Sequence, residues 1–466
     1  MKRHQDDAVL SWLSQRQILN SLGDPLMVER VIAGLSSRLK ISGSFTSNVA
    51  ALLLANALNN GTVFLANMFI ARTCGPETFG AFSVAVNVAL MTLTVSEFGL
   101  NFSMIRLYAE HRSDREKGRC VLLANLYFKL AVIGVLAVAS LLVSGAVARA
   151  LLHDAARGAL IGTALLSGGV LGVWSFFRVY FQVMGRFRVI AGLTLVYALC
   201  RMLILGSMLW SNPASAPEYL LLGVYILPLA AVLGFCLVNF GKRVPLLPPS
   251  GPELWRIGRD SLHYSKWVAL TGISFTMIQQ SLVFIVSSLG GIRQVALLNA
   301  GLVFTAVFSM VSDAVFQVLY PKVAGYPVGE LRQYRMRLIK LFPLLLLAAT
   351  AVMALLSLLM IFCLGEKYRA SLSLFWITGF GAAVTAYIGL YSMALHTIKR
   401  PEIAAYVNLA TLTLFTLSGA FLMKFVSLQA VAFCYLAALV SGELAKAFLI
   451  DRLILPAPAT AQQACP

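Results

Sequence analysis

The sequence predicts an all-α polytopic integral membrane protein: about twelve transmembrane helices in two six-helix pseudo-repeated lobes, with both termini cytoplasmic. Three observations predict it. Apolar residues make up 59% of the chain and charged residues 12%, with a mean hydropathy of +0.82. Apolar runs of about 20 residues, the length that crosses a bilayer, recur about a dozen times. Landmarks of the first six runs return in the second six at a near-constant offset.

Residues 1–46 form a cytoplasmic segment without the apolar core and small-residue cleavage site of a secretory signal. Val28, Val31, Ile32, Leu35 and Leu39 share one helical face, accompanied by Arg30, Arg38 and Lys40. That pattern suits a helix lying on an anionic inner leaflet. The N-terminal lobe, 47–240, carries runs at 49–70, 79–105, 120–146, 159–182, 189–210 and 219–240. An inter-lobe linker, 241–266, is cytoplasmic. The C-terminal lobe, 267–450, carries runs at 267–289, 295–320, 341–364, 371–396, 403–423 and 430–450, and 451–466 is a cytoplasmic tail. Almost nothing remains for a soluble domain.

Orientation follows from lysine and arginine, which concentrate in cytoplasmic loops. With the N-terminus inside, 26 of the 37 fall in inside segments and seven outside. The outside ones are Arg72, Arg149, Arg157, Arg293, Lys367, Arg369 and Lys424. The net charge of +18 is thus a topology signal, and no nucleic-acid partner is expected. Seven scattered cysteines, without CxxC spacing or histidine partners, suggest neither a disulfide framework nor a metal site.

The repeat is read from paired landmarks. Glu97 and Asp313 each follow a Val-Ser pair, and each is followed nine residues on by a base, Arg106 or Lys322. Both acid and base recur at an offset of 216. Gly75 with Gly290, Arg186 with Lys399, and Arg157 with Arg369 recur at 215, 213 and 212. Six spans repeated in the same orientation place a substrate between two lobes that rock to alternate access.

The remaining four bases, Lys129, Arg178, Arg201 and Lys446, fall within spans. A cation at the centre of a span costs roughly 2.5–3.5 kcal/mol on insertion scales, so it must face protein or water. Arg201 is the deepest. Three such cations in one lobe point to a cavity for something negative. Each has a plainer role open to it: Arg178 can snorkel to the headgroups, and Lys129 can pair with Glu97. Lys446, one turn from Glu443, suits a structural ion pair.

At the span ends the chain also resembles a family. Segment 71–80 (ARTCGPETFG) looks like the first outside loop of polysaccharide exporters in the MATE-related flippase superfamily. Glu97-Phe98-Gly99-Leu100 with Arg106 resembles the end of their second span, and 182–188 (QVMGRFR) the loop after their fourth. Leu319-Tyr320-Pro321-Lys322 and 365–369 (GEKYR) fit the end of the eighth span and the loop after the ninth. Cys74 departs from the pattern, where a small apolar residue is more usual. The resemblance spans 49–450 and is nearest to O-antigen flippases of the Wzx type.

It implies translocation of an undecaprenyl-diphosphate-linked oligosaccharide, an O-antigen or exopolysaccharide unit, across a bacterial inner membrane. A polysaccharide polymerase and chain-length machinery are the candidate protein partners. For such a cargo, Arg201 would contact the diphosphate with Arg178 and Lys129 supporting, because guanidinium forks onto phosphate and ammonium adds a point charge. Asn56, Asn59, Asn60, Gln279 and Gln280 could meet sugar hydroxyls, or could bond helix to helix. No cofactor is expected. The chain holds no GxxxxGK[ST] phosphate loop, so direct ATP use is not expected. Coupling to H+ or Na+ would need an intramembrane carboxylate, for which Asp313, Glu443 and Glu97 are candidates.

Two rival transporters stay open. A lipid II flippase would need similar chemistry but usually has two further spans; a small-molecule exporter of the MATE type usually prefers cations. A membrane enzyme needs catalytic groups in a sizeable outside loop, and the outside loops here are short.

Overall fold

The computed structural model describes residues 43–454, apart from 112–113, 212–216, 246–250, 324–327, 393, 398–399 and 401. The amphipathic face at residues 28–39 and most of the tail lie outside those residues. Every regular element among the described residues is helical.

The expected first and second spans form one helix, α1 (Gly43–Glu97), continued by α2 (Leu100–Glu110). Straight, α1 would be about 80 Å long, well over the roughly 30 Å of hydrocarbon. It is broken at Gly75, whose φ of 81° and ψ of 170° are not helical, with Pro76 next. This is where the sequence puts the first outside turn. Among the described residues, eleven helices therefore have the length and apolarity of a span, the first of them, Ala51–Glu110, serving as two.

The N-terminal lobe continues with α3 (Arg115–Leu142), α4 (Ser144–Leu152), α5 (Gly158–Val183) and α6 (Phe187–Ser211). The sixth span departs from a plain helix: α7 (Pro217–Leu221), a π-helical turn (Leu222–Ile226) and α8 (Leu227–Gly241) share it. The C-terminal lobe holds α9 (Gly251–Gly290), α10 (Ile292–Val323), α11 (Val328–Leu364), α12 (Ser371–Ser392), α13 (Ala394–Thr397), α14 (Glu402–Phe425) and α15 (Leu428–Ile454). The second half of the expected linker is thus an extension of α9.

Packing repeats between the lobes. In the first, α1 lies against both α5 and α6; in the second, α10 lies against α12 and α9 against α14. The close pairing of α1 and α5 has a local cause. A Cβ on Gly168 would sit 2.5 Å from Thr92 Cβ and 2.6 Å from the Ala89 carbonyl, and one on Gly172 would sit 2.5 Å from Ser96 Oγ. Only glycine four residues apart lets the two helices approach this closely.

The lobes meet toward both ends. Gly99 lies against the backbone of Ser265 and Ala269, and Thr94 Oγ1 donates to Thr276 Oγ1 at 3.4 Å. A further set of contacts lies at the end opposite the lysine- and arginine-rich loops. Tyr368 OH donates to the Ala71 carbonyl at 3.1 Å, Phe79 packs edge-on to Tyr368, and Ser287 Oγ donates to the Leu151 carbonyl. Gly80 lies directly against the Ile292 carbonyl. Leu344, Leu347, Leu355, Leu358 and Phe362 on α11 are exposed, as a lipid-facing surface requires.

Candidate functional site

The close approach of α1 and α5 brings three helices' polar groups together inside the N-terminal lobe. Glu97 ends α1, Ser175 and Arg178 lie one turn apart on α5, and Asn125 and Lys129 lie one turn apart on α3. Ser175 Oγ donates to Glu97 Oε1, and Asn101 Nδ2 donates to Ser175 Oγ at 2.7 Å. Lys129 and Arg178 both feel the Glu97 carboxylate. Neither is within 4 Å of it, so the pairing expected of Lys129 and Glu97 is a long-range attraction and no contact ion pair.

The two cations differ in setting. Lys129 is 1% exposed, and its Nζ has no hydrogen-bond partner among the described residues. Arg178 is exposed, although Phe176, Phe177 and Val179 beside it are buried. Two cations against one carboxylate leave the cluster with an excess positive charge, and Lys129 brings three donors that protein atoms do not use.

Arg201 lies elsewhere and is differently occupied. It is 1% exposed. Its Nε donates to the Val224 carbonyl at 3.1 Å, and Nη1 donates to the Asn59 carbonyl at 3.3 Å and to Thr62 Oγ1 at 3.1 Å. The guanidinium stacks over Tyr197 at 4.2 Å, with Tyr225 at 5.9 Å. In this conformation its charge is shared among two carbonyls, a hydroxyl and aromatic faces, and it ties α6 to α1 and to the π-turn.

The expected glycan contacts separate. Asn60 is exposed, while Asn56 and Asn59 are half-buried and Asn59 Oδ1 has no partner among the described residues. Gln279 is exposed and Gln280 buried, so these neighbours face opposite ways. Of the expected coupling acids, Glu443 is buried, accepting from Lys446 Nζ at 2.6 Å and Ser392 Oγ at 2.7 Å. Asp313 lies in α10, and its side chain is outside those described.

Sequence reasoning passed over several groups. Ser175 and Asn101 complete the Glu97 cluster; Ser175 sits one turn before Arg178, the only signal it gives. Asp451 accepts from Tyr391 OH at 2.8 Å and pairs with Arg335 at 2.7 Å, fastening α15 to α11 and α12.

The sequence profile described as "polysaccharide biosynthesis protein" matches residues 45–326. No functionally curated protein matches the chain in sequence. Among solved structures, the fold is similar to an inward-facing multidrug resistance MATE transporter of the MOP superfamily. The identity is 13%, with 87% of this chain and 96% of that one covered and a TM-score of 0.70. It is similar to the lipid II flippase MurJ in an inward closed conformation, at 11% identity, 86% and 87% coverage and a TM-score of 0.66. A MOP superfamily transporter from Pyrococcus furiosus, described as having a binding pocket of reverse polarity that suggests a different function, matches at 12% identity, 87% and 95% coverage and a TM-score of 0.56. At these identities the likeness is one of fold.

Proposed function

The chain belongs to the polysaccharide biosynthesis protein family, and from that premise we propose that it flips an undecaprenyl-diphosphate-linked oligosaccharide from the cytoplasmic to the periplasmic leaflet of a bacterial inner membrane. The cargo is an O-antigen or exopolysaccharide repeat unit, delivered where a polymerase can take it up.

The observation that carries this reading is the pair Lys129 and Arg178 about Glu97. A buried ammonium with unused donors is costly unless something negative reaches it. An exposed guanidinium less than two turns from the end of its helix can hold its charge in water or at the headgroups, where a phosphate can reach it. Together they suit a diphosphate, whose oxygens can take both groups at once. Arg201 is the least available of the three expected phosphate ligands, because Nε and Nη1 are occupied; it would fork onto a phosphate in a state where the ties to Asn59, Thr62 and Val224 open.

Glu97 gives the cluster a competitor for its cargo: the carboxylate offsets one of the two positive charges, and an arriving diphosphate would contend with it for the cations. That competition is the simplest route to ion coupling; Asp313 and Glu443 remain candidates beside it, with H+ and Na+ both open. A lipid II-type cargo carries the same diphosphate and lipid. A cationic small-molecule cargo would be repelled by the excess positive charge.

The test is complementation of a strain lacking its own O-antigen flippase, with variants matched for protein level. Lys129→Met and Arg178→Gln should abolish surface glycan, whereas wild-type levels from both would overturn the site. In proteoliposomes, cargo bearing the O-unit glycan set against lipid II separates the two flippase readings. Asp313→Asn or Glu97→Gln should remove any pH-gradient dependence if that acid carries coupling.

A further inference from the structure

A second cationic site lies at the lysine- and arginine-rich end of the N-terminal lobe, away from the Glu97 cluster. Arg115 and Arg119 from the start of α3, Arg186 from the α5–α6 turn, and Lys242 and Arg243 after α8 line one cavity of about 790 Å3. Its lining includes two acids, Asp114 and Glu116. Asp114 is already committed: it accepts the backbone N–H groups of Glu116 and Lys117 and pairs with Lys117 at 3.2 Å. Those donors hold its carboxyl below the usual range. Among the described residues, Arg115, Arg186, Lys242 and Arg243 make no contact ion pair with a carboxylate.

The site is built, not a chance meeting of mobile arginines. Arg119 Nε donates to the Pro245 carbonyl at 3.0 Å, joining α3 to the stretch after α8. Tyr108 OH reaches Met184 Sδ at 3.7 Å, joining α2 to the end of α5. Gly185, at φ 69°, turns the chain so that the Arg186 N–H bonds the Phe181 carbonyl at 2.8 Å. Tyr180 packs on Phe240 at 5.0 Å, fixing α5 to α8 beneath the cations, and both Arg186 and Arg243 act on its hydroxyl. The result is an aromatic base under a cationic rim at the level where helices leave the hydrocarbon.

We propose that this cavity docks a lipid headgroup bearing two phosphates. Basic pockets between helices at the cytoplasmic surface take anionic headgroups, and the volume falls within the roughly 300–1,000 Å3 of small-molecule sites. Five cations drawn from three loops exceed what one phosphate can engage. Two sources supply the same chemistry: a two-phosphate phospholipid of the bilayer, or a polyprenyl diphosphate awaiting transport. The inference stands whether or not the chain flips a glycolipid, because binding is read without transport.

The experiment uses the full chain in neutral-lipid nanodiscs. Binding of cardiolipin, undecaprenyl diphosphate and phosphatidylglycerol is measured in each, for wild type and for Arg186→Gln/Lys242→Gln/Arg243→Gln. A charge-matched control, Arg256→Gln/Arg259→Gln/Lys266→Gln, removes exposed cations outside the cavity lining. At least one two-phosphate lipid should bind about tenfold more tightly than phosphatidylglycerol, and the cavity variant should lose about tenfold while the control does not. Cardiolipin alone identifies a bilayer lipid; undecaprenyl diphosphate alone, or both, identifies a loading position. Equal affinity for phosphatidylglycerol, or a cavity variant that binds like wild type, would overturn the proposal. Should the triple variant fail to fold, Arg243→Gln and the salt dependence of wild-type binding decide: affinity unmoved by both overturns it as well.

Discussion

Arg201 Nε donates to the carbonyl of Val224, the one acceptor in its span that a proline has stripped of an α-helical donor. In a regular helix the Val224 carbonyl would receive the N–H of the residue four positions on, which here is Pro228. The chain takes a π-turn over Leu222–Ile226, and the guanidinium supplies the missing donor from the neighbouring helix.

The pair should therefore behave as a unit. Arg201→Met leaves buried carbonyls short of a donor and should cost about 2 kcal/mol of stability. On a Pro228→Ala background, where the backbone N–H returns, the same change should cost measurably less. Thermal unfolding of the four proteins gives the cycle; strict additivity would show that Pro228 does not create the need for Arg201.

The glycines of α5 make a sharper prediction. A methyl at position 172 meets only Ser96 Oγ within 3 Å, while one at 168 meets both the Thr92 side chain and the Ala89 carbonyl. Gly172→Ala should be destabilising and rescued by Ser96→Ala. Gly168→Ala should cost about 1–3 kcal/mol and resist rescue by shortening Thr92, since backbone cannot give way. Equal rescue at both sites would contradict the packing described.

Tyr368 joins the lobes at the end opposite the lysine- and arginine-rich loops. Tyr368→Phe removes the bond to the Ala71 carbonyl and little else, weakening the contact by about 1 kcal/mol, or roughly fivefold in the balance between closed and open forms. Distances between spin labels placed across that end should show the open population rise by that factor. An unchanged distribution would mean that the hydrogen bond does not hold the lobes.

The Glu443–Lys446 pair, buried in the C-terminal lobe, separates structure from coupling. Breaking a buried pair from one side costs about 3–5 kcal/mol, whereas replacing both partners is often near neutral. Glu443→Gln and Lys446→Met should each lower the unfolding temperature strongly, and the double variant should recover. A recovered double variant with full gradient-driven transport would assign the pair to structure; recovered stability with lost gradient dependence would assign Glu443 to coupling.

Much of the fold was legible because hydrocarbon imposes length, apolarity and charge asymmetry directly on sequence. The 216-residue offset between Glu97 and Asp313 marks a repeat that reappears as matched helix pairings. The first pair of spans was legible as two runs, because the polar stretch 72–78 interrupts the apolar pattern where Gly75 breaks the helix. The broken sixth span had a signal in Pro228 that hydropathy cannot register. Within the polar groups, the sequence named Lys129, Arg178 and Glu97 but could not bring Ser175 and Asn101 to them, since that depends on how closely Gly168 and Gly172 let two helices approach. It also could not see that the deepest cation, Arg201, would find its Nε and Nη1 taken by two backbone carbonyls and a hydroxyl. Depth is written in sequence; occupancy is written in three dimensions.

The Arg201 tie also bears on how the chain is made. One set of its acceptors, at Asn59 and Thr62, lies 142 and 139 residues earlier, and the other, at Val224, lies 23 residues later. Without those partners the helix carries an unpaired cation in hydrocarbon, at a cost of roughly 2.5–3.5 kcal/mol. The first lobe is thereby favoured as a unit: the fifth span places its guanidinium only when the first and the sixth are both beside it.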